Sequence, residues 1–204
     1  MATSVAKENI LKRIRQALVN PLPLPFPNSE GTNSVFLPAT DDLEVLFAEQ
    51  FTRLQGKFAF CADEPDLLQQ LQQLITQQQW TKIYCNEPQW NQLFSNTNDL
   101  TGCDAAITGC EWLVARTGSI VMSTAQQSGR TTSVYAPVHI CIALTSQLVY
   151  DLKDTLLSIK DKYPEDLPSL ISFATGPSRT ADIEKTLVTG VHGPKEVYCF
   201  LVEA

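Results

Sequence analysis

Apolar positions recur along this chain with two different periods, and the changes of period mark out its elements. Residues 2–18 carry Ile10, Leu11, Ile14 and Leu18 at helical spacing, with Lys12, Arg13 and Arg15 on other faces, which predicts an amphipathic helix. Pro21-Leu22-Pro23-Leu24-Pro25-Phe26-Pro27 follows. Alternating prolines fix φ and remove backbone donors, so this segment is expected to run extended and to hold the helix away from the next element. The chain is thus read as two parts: residues 1–38, a helix with a proline-rich extension, and residues 39–204, one domain.

From Thr40 the pattern becomes regular. Thr40-Asp41-Asp42 offers caps for a helix ending near Gly56. Strands are predicted over 57–61, 82–85, 105–108, 119–123 and 139–144, and helices over 66–79, 88–94 and 151–162. The last third reads strand 170–174, helix 181–189, strand 196–202, with both strands expected in the core. Short apolar strands alternating with helices imply an α/β domain, built on a mostly parallel sheet covered on both faces. Ligands of such sheets sit beyond the carboxyl ends of the strands, so the loops after strands matter most.

Composition narrows the partners. The net charge of -7 opposes binding to phosphate-rich nucleic acid. No apolar run reaches the roughly 20 residues of a membrane-spanning helix. The N-terminus shows no basic segment followed by an apolar core, so no secretory signal is read and a cytoplasmic location is expected. None of the six cysteines forms a Cys-x-x-Cys pair, and no run has the spacing of an iron–sulfur or zinc ligand set. No metal or cofactor site is therefore expected. The cysteines read as small buried hydrophobes in a reducing compartment, with Cys103 and Cys110 nearer loops. Gly-x-Gly-x-x-Gly, Walker, Gly-x-Ser-x-Gly and His-Glu-x-x-His patterns are absent.

Two segments carry candidate chemistry. The first is Thr117-Gly118-Ser119, where a turn presents two hydroxyls and an open amide beside Arg116, with Glu111 upstream as a candidate nucleophile or base. The second is Gly176-Pro177-Ser178-Arg179-Thr180, continued by Asp182 and Glu184 and then by Gly190-Val191-His192-Gly193-Pro194. Read as the opening of a helix, Ser178 and Thr180 place hydroxyls among free backbone N–H groups, and Arg179 adds positive charge suited to an anion. Asp182 and Glu184 oppose an anion and suit a polyol or a cation better. The same residues also describe a capped helix with a solvated first turn. His192, between tightly specified backbone positions, either titrates near a ligand or braces its loop. The other histidine, His139, heads an apolar strand and reads as structural. All three polar loops are expected to converge on one pocket at the carboxyl edge.

Gly-Pro-Ser-Arg-Thr-Ala-Asp-Ile-Glu, followed by Gly-Val-His-Gly-Pro and a last apolar strand, resembles the ending of the LUD domain, the lactate-utilisation protein C family. Ala115-Arg116-Thr117-Gly118-Ser119 and Pro137-Val138-His139-Ile140 add to the resemblance, which covers residues 100–202 well and the N-terminal half loosely. It implies a three-layer α/β/α fold like that of ribose-5-phosphate isomerase, glucosamine-6-phosphate deaminase and the CoA-transferases. It also implies a role in oxidising L-lactate to pyruvate beside companion subunits that carry iron–sulfur clusters. Arg116 stands where the family often has an acidic residue, and Lys195 where arginine is common. Two other roles stay open: an enzyme in its own right acting on a phosphorylated sugar or CoA ester, and a pure interaction subunit that binds through its proline-rich arm.

Overall fold

A computed structural model of the chain describes residues 5–19, 39, 41–182 and 186–204. The expected extended segment Pro21 to Pro27 lies outside them. The chain divides into two units, Met1–Pro38 and Ala39–Ala204. In the first, α1 (Val5–Val19) forms where helical spacing predicted it, with Ile10, Leu11 and Ile14 exposed along it.

The second unit runs α2 (Leu43–Arg53), β1 (Lys57–Cys61), α3 (Glu64–Gln78), β2 (Ile83–Cys85), α4 (Asn91–Phe94), β3 (Ala105–Thr108), β4 (Trp112–Val114) and β5 (Ser119–Ser123). It continues with α5 (Thr132–Tyr135), β6 (Val138–Leu144), β7 (Leu148–Val149), α6 (Leu152–Lys162), β8 (Ile171–Ala174), β9 (Arg179–Asp182), β10 (Thr186–Thr189) and β11 (Glu196–Val202). Local chemistry sets several of these boundaries. Asp63 accepts the amide of Asp66 at 2.9 Å and starts α3, which ends at Gln79 in the left-handed region. Asp151 and Asp154 form a reciprocal capping box at the start of α6. Asp42 occupies the N-cap of α2 but makes no side-chain capping bond.

The main sheet has five strands in the order β1-β11-β6-β3-β2, all parallel. Its strands are nearly continuous apolar runs because both faces are covered. In β11, Tyr198, Phe200 and Val202 meet α3 through Leu67 and Leu71, while Val197, Cys199 and Leu201 face Phe47 and Phe51 of α2. Burying each such large side chain stabilises the fold by roughly 2 kcal/mol.

The second face is covered by α2 together with a smaller sheet, ordered β7-β4-β5-β8. Its β4 and β8 run antiparallel to β5, and α6 packs behind it through Ile159 on Val114 and Val121. Reading elements one at a time placed 119–123 and 170–174 in line with the parallel strands. Both belong to the smaller sheet, and β8 is its outer strand, partly exposed rather than core.

The helix expected over 181–189 is a correction. The described residues of that span are strands instead: β9 and β10 pair antiparallel, with Thr186 opposite Asp182 and Thr189 opposite Arg179. The run Thr186-Leu187-Val188-Thr189 carries three β-branched residues, which suit a strand and lose side-chain freedom in a helix. The helix N-terminus proposed for Ser178 and Thr180 therefore does not exist. The short β4, α5 and β7 were not read at all, since two to four residues are too few to establish a period.

Candidate functional site

Gly118 and Gly176 do the same mechanical work at two places. Both have positive φ, +60° and +80°, and a Cβ on either would meet the last turn of α2, at Phe51 N (2.6 Å) and Leu54 O (2.7 Å) respectively. Lacking side chains, they let these two loops lie directly on the helix backbone. Between them runs a chain of hydroxyls: Thr117 Oγ1 to Ser119 Oγ at 2.8 Å, and Ser119 Oγ to Thr175 Oγ1 at 2.8 Å. Arg179 donates from Nη2 to the carbonyl of Leu54, where its charge complements the negative end of the helix. Arg116 is likewise engaged. It grips Asp151 with Nε 2.7 Å from Oδ2 and Nη2 3.1 Å from Oδ1, holding that carboxyl below its ordinary pKa.

The second loop is tied to the third. Ser178 N–H donates to Pro194 O at 2.9 Å, Gly190 N–H donates to Ser178 O at 3.0 Å, and a Cβ on Gly193 would lie 3.0 Å from that of Ser178. Pro177 is buried between them. This packing brings Gly176, Ser178, His192 and Gly193 to the wall of one cavity of about 220 Å³. The cavity also takes in His139 of β6, Ser133 of α5, and Met122 and Ser172 of the smaller sheet. It therefore lies between the two sheets, at the amino edge of the parallel one. The carboxyl edge was expected. Because β11 runs parallel to β6, the loop that leads into it must enter from the amino side. Thr117, Gly118 and Ser119 adjoin this loop system through Thr175 but do not line the cavity. The side chains of Thr180 and Asp182, and the whole of Glu184, lie outside the described residues.

His139, expected to be structural, lies near the start of β6. It is fully buried, with Nε2 2.8 Å from Thr108 Oγ1, and its Nδ1 has no hydrogen-bond partner among the described residues. Burial pushes its pKa down to about 4, so the imidazole is neutral. One signal was present in the sequence: His139 breaks the apolar alternation at an inward position of a strand buried on both faces. His192 is exposed, and with Gly193 it also lines a wider cleft of about 700 Å³ whose walls include Cys103, Tyr135 and Lys195.

Glu111 lies elsewhere, beyond the carboxyl end of β3. Its Oε1 accepts from Ser123 Oγ at 2.6 Å and Tyr163 Oη at 2.9 Å, and its Oε2 pairs with Lys162 Nζ at 2.7 Å. Burial raises the pKa of this carboxyl, but Lys162, Ser123 and Tyr163 together outweigh burial and hold it below 4.5. A carboxylate stabilised in its charged form is a poor general base, and nothing brings it to His192. All six cysteines are free and buried. The pKa of Cys110 is raised well above 9.0, first by its hydrogen bond with Cys141 and then by burial, and burial raises that of Cys103. Neither is poised as a thiolate. Among the described residues no helix is long and apolar enough to cross a membrane.

A parallel α/β sheet backed by a smaller mixed sheet, with a polar cavity between them, defines the class of this domain. The LUD domain matches residues 76–202, a span that contains every residue named above as lining the cavity, and the chain belongs to that family. It is 38% identical over 101 residues to lactate utilization protein C of Halalkalibacterium halodurans, covering 48% of this chain and 44% of that protein. The protein of the same name from Bacillus licheniformis is 35% identical over 99 residues, covering 48% and 41%. That of Deinococcus radiodurans is 31% identical over 105 residues, covering 51% and 49%. These matches span less than half the length of each relative. A crystal structure of a DUF162 family protein from Deinococcus radiodurans shares the fold, with a TM-score of 0.57 at 16% identity over 78% of this chain and 96% of that one.

Proposed function

We propose that this chain serves lactate utilisation, as a component that carries no iron–sulfur cluster and works in the cytoplasm beside companion subunits that do. The observation that carries this reading is membership of the LUD domain family, together with 31–38% identity to three proteins named lactate utilization protein C. In this reading residues 39–204 are the LUD domain and hold a small-molecule pocket. Residues 1–38 are an appendage through which a companion subunit is met, and the exposed Ile10, Leu11 and Ile14 of α1 supply an apolar stripe for it.

The test is genetic and biochemical. Deleting the gene is expected to abolish growth on L-lactate while sparing growth on pyruvate, with the wild-type gene restoring it. A tagged full-length chain is expected to retain cluster-binding subunits, and Ile10→Asp with Ile14→Asp to release them. Undiminished growth of the deletion strain on L-lactate would remove the proposal. A stand-alone enzyme acting on phosphorylated sugars has less support, since Arg116 and Arg179 are both committed to protein partners.

A further inference from the structure

The loops that lead into β3, β6 and β11 meet at the amino ends of these three neighbouring strands, and the cleft of about 700 Å³ opens between them. Its walls mix two chemistries. Val134, Tyr135 and Val191 line it with exposed side chains, Tyr135 at 61%, so apolar surface faces water there. Such surface is drawn toward an apolar partner. His192 and Lys195, both exposed, line the same cleft and bring N–H donors and a positive charge. The lysine stem is held in place. Gly190 sits at φ +80°, and a Cβ there would collide with Cγ of Lys195, so the stem lies directly against the glycine backbone. The backbone at both residues is tied down as well: Gly190 N–H donates to Ser178 O at 3.0 Å and Lys195 N–H to Pro137 O at 2.8 Å. No ion pair or hydrogen bond engages the Lys195 ammonium among the described residues.

A positioned charge beside exposed apolar surface matches a molecule that is itself divided. An anionic head satisfies the ammonium and takes a hydrogen bond from His192, while an apolar or ring-bearing body covers Val134, Tyr135 and Val191, with Tyr135 able to stack. Lysine acts as a point charge, so carboxylate and phosphate heads share this chemistry. The volume lies within the roughly 300–1,000 Å³ of small-molecule sites and exceeds what a small hydroxy acid fills. Asp99, beside the Thr101 end of the cleft, is spent on its own turn. It accepts from Thr101 N–H and Gly102 N–H at 3.1 Å each and from Thr101 Oγ1 at 2.8 Å. We propose that this cleft binds a small organic anion, with its head group on Lys195 and His192 and its apolar body on Tyr135, Val134 and Val191. The proposal deepens the small-molecule pocket read for this domain and does not rest on the lactate role.

The experiment uses the full chain with ¹⁵N-labelled histidine, titrated with sodium benzoate, phenyl phosphate, benzyl alcohol, benzylamine and sodium L-lactate. The expected result is a saturable shift of the His192 ring resonances with benzoate or phenyl phosphate, while those of the buried His139 stay in place. Benzyl alcohol, benzylamine and L-lactate are each expected to bind at least about fivefold more weakly, since each lacks either the charge or the body. Lys195→Gln is expected to weaken binding of the anion about fivefold, and Lys195→Arg to keep it. Tyr135→Ala, at an exposed side chain, serves as the second variant if Lys195→Gln does not fold, and is expected to weaken binding by a similar factor. No saturable shift at His192 with either anion overturns the proposal, as does a shift at His139 alone. Benzylamine or benzyl alcohol bound as tightly as the anions overturns the charge of the ligand, and L-lactate bound as tightly overturns its apolar body. Unchanged affinity in both variants overturns the site. Growth on L-lactate tests the lactate role separately, so either reading can fail alone.

Discussion

Glu111 and His139 are two ionisable residues that the fold takes out of water, at 2% and 0% exposure, and it treats them in opposite ways. The Glu111 carboxylate receives three donors, from Lys162, Ser123 and Tyr163. It joins the end of α6 to β5 and has no remaining need of a ligand. The His139 imidazole has one partner, Thr108, and its Nδ1 has none among the described residues. Saturation of a buried polar group helps hold the structure together, and an unsatisfied one is a cost that the rest of the fold offsets. Glu111, a candidate nucleophile or base in the sequence, is thus held by three donors, while His139, expected to be structural, keeps one ring nitrogen without a partner among the described residues.

The comparison can be broken most sharply by pH. Unfolded, His139 takes up a proton near pH 6.5; folded, it does so only near pH 4. Between those values the unfolded chain binds more protons, so the contribution is complete above pH 6.5 and is lost as pH falls toward 4. The loss amounts to about 3 kcal/mol, measurable by urea denaturation at a series of pH values. His139→Gln is expected to flatten this window, and a variant with the wild-type slope would contradict burial of a neutral imidazole. Glu111 acts in a lower window. Its folded pKa lies below the ordinary 4.5, so its contribution is full above that value and is lost only as pH falls further.

Removing the saturated carboxylate comes next. Glu111→Ala leaves Ser123, Tyr163 and Lys162 without their acceptor and is expected to cost about 2–3 kcal/mol at neutral pH, the sum of three modest hydrogen bonds. A cost under about 0.5 kcal/mol would show that the cluster is not the structural anchor described. Thr175→Val breaks the hydroxyl chain from Ser119 and is expected to cost about 1 kcal/mol, read as a lower denaturation midpoint with an unchanged slope. The smallest effect is expected for Arg116→Ala. Its side chain is nearly half exposed, so solvent screens the pair with Asp151 and the loss stays below about 1 kcal/mol. A larger loss would mean that Arg116 organises the start of α6 as more than a surface partner.

The α/β class, the core strand at 196–202 and most helices were legible in the chain, because hydrophobic period is a local property that each segment carries with it. Family membership was legible too, in the Gly-Pro-Ser-Arg-Thr and Gly-Val-His-Gly-Pro segments, which lie within the matched region. Glycine and proline at those positions announced constrained loops correctly. They did not say what the loops press against, and for Gly118 and Gly176 it is the backbone of α2, more than 60 residues earlier in the chain.

Tertiary structure decided the rest. Which strands leave the parallel sheet for a second one depends on pairing partners, since a five-residue apolar strand reads alike in either. The pairing of β9 with β10 stands where a helix was expected, and the β-branched run Thr186-Leu187-Val188-Thr189 agrees with it. The edge of the sheet at which the polar loops meet followed from the direction of β11 alone. Partner counts among the described residues, one for His139 and three for Glu111, come from residues 12 to 52 positions away, because a side chain's hydrogen bonds are set by what folding brings beside it.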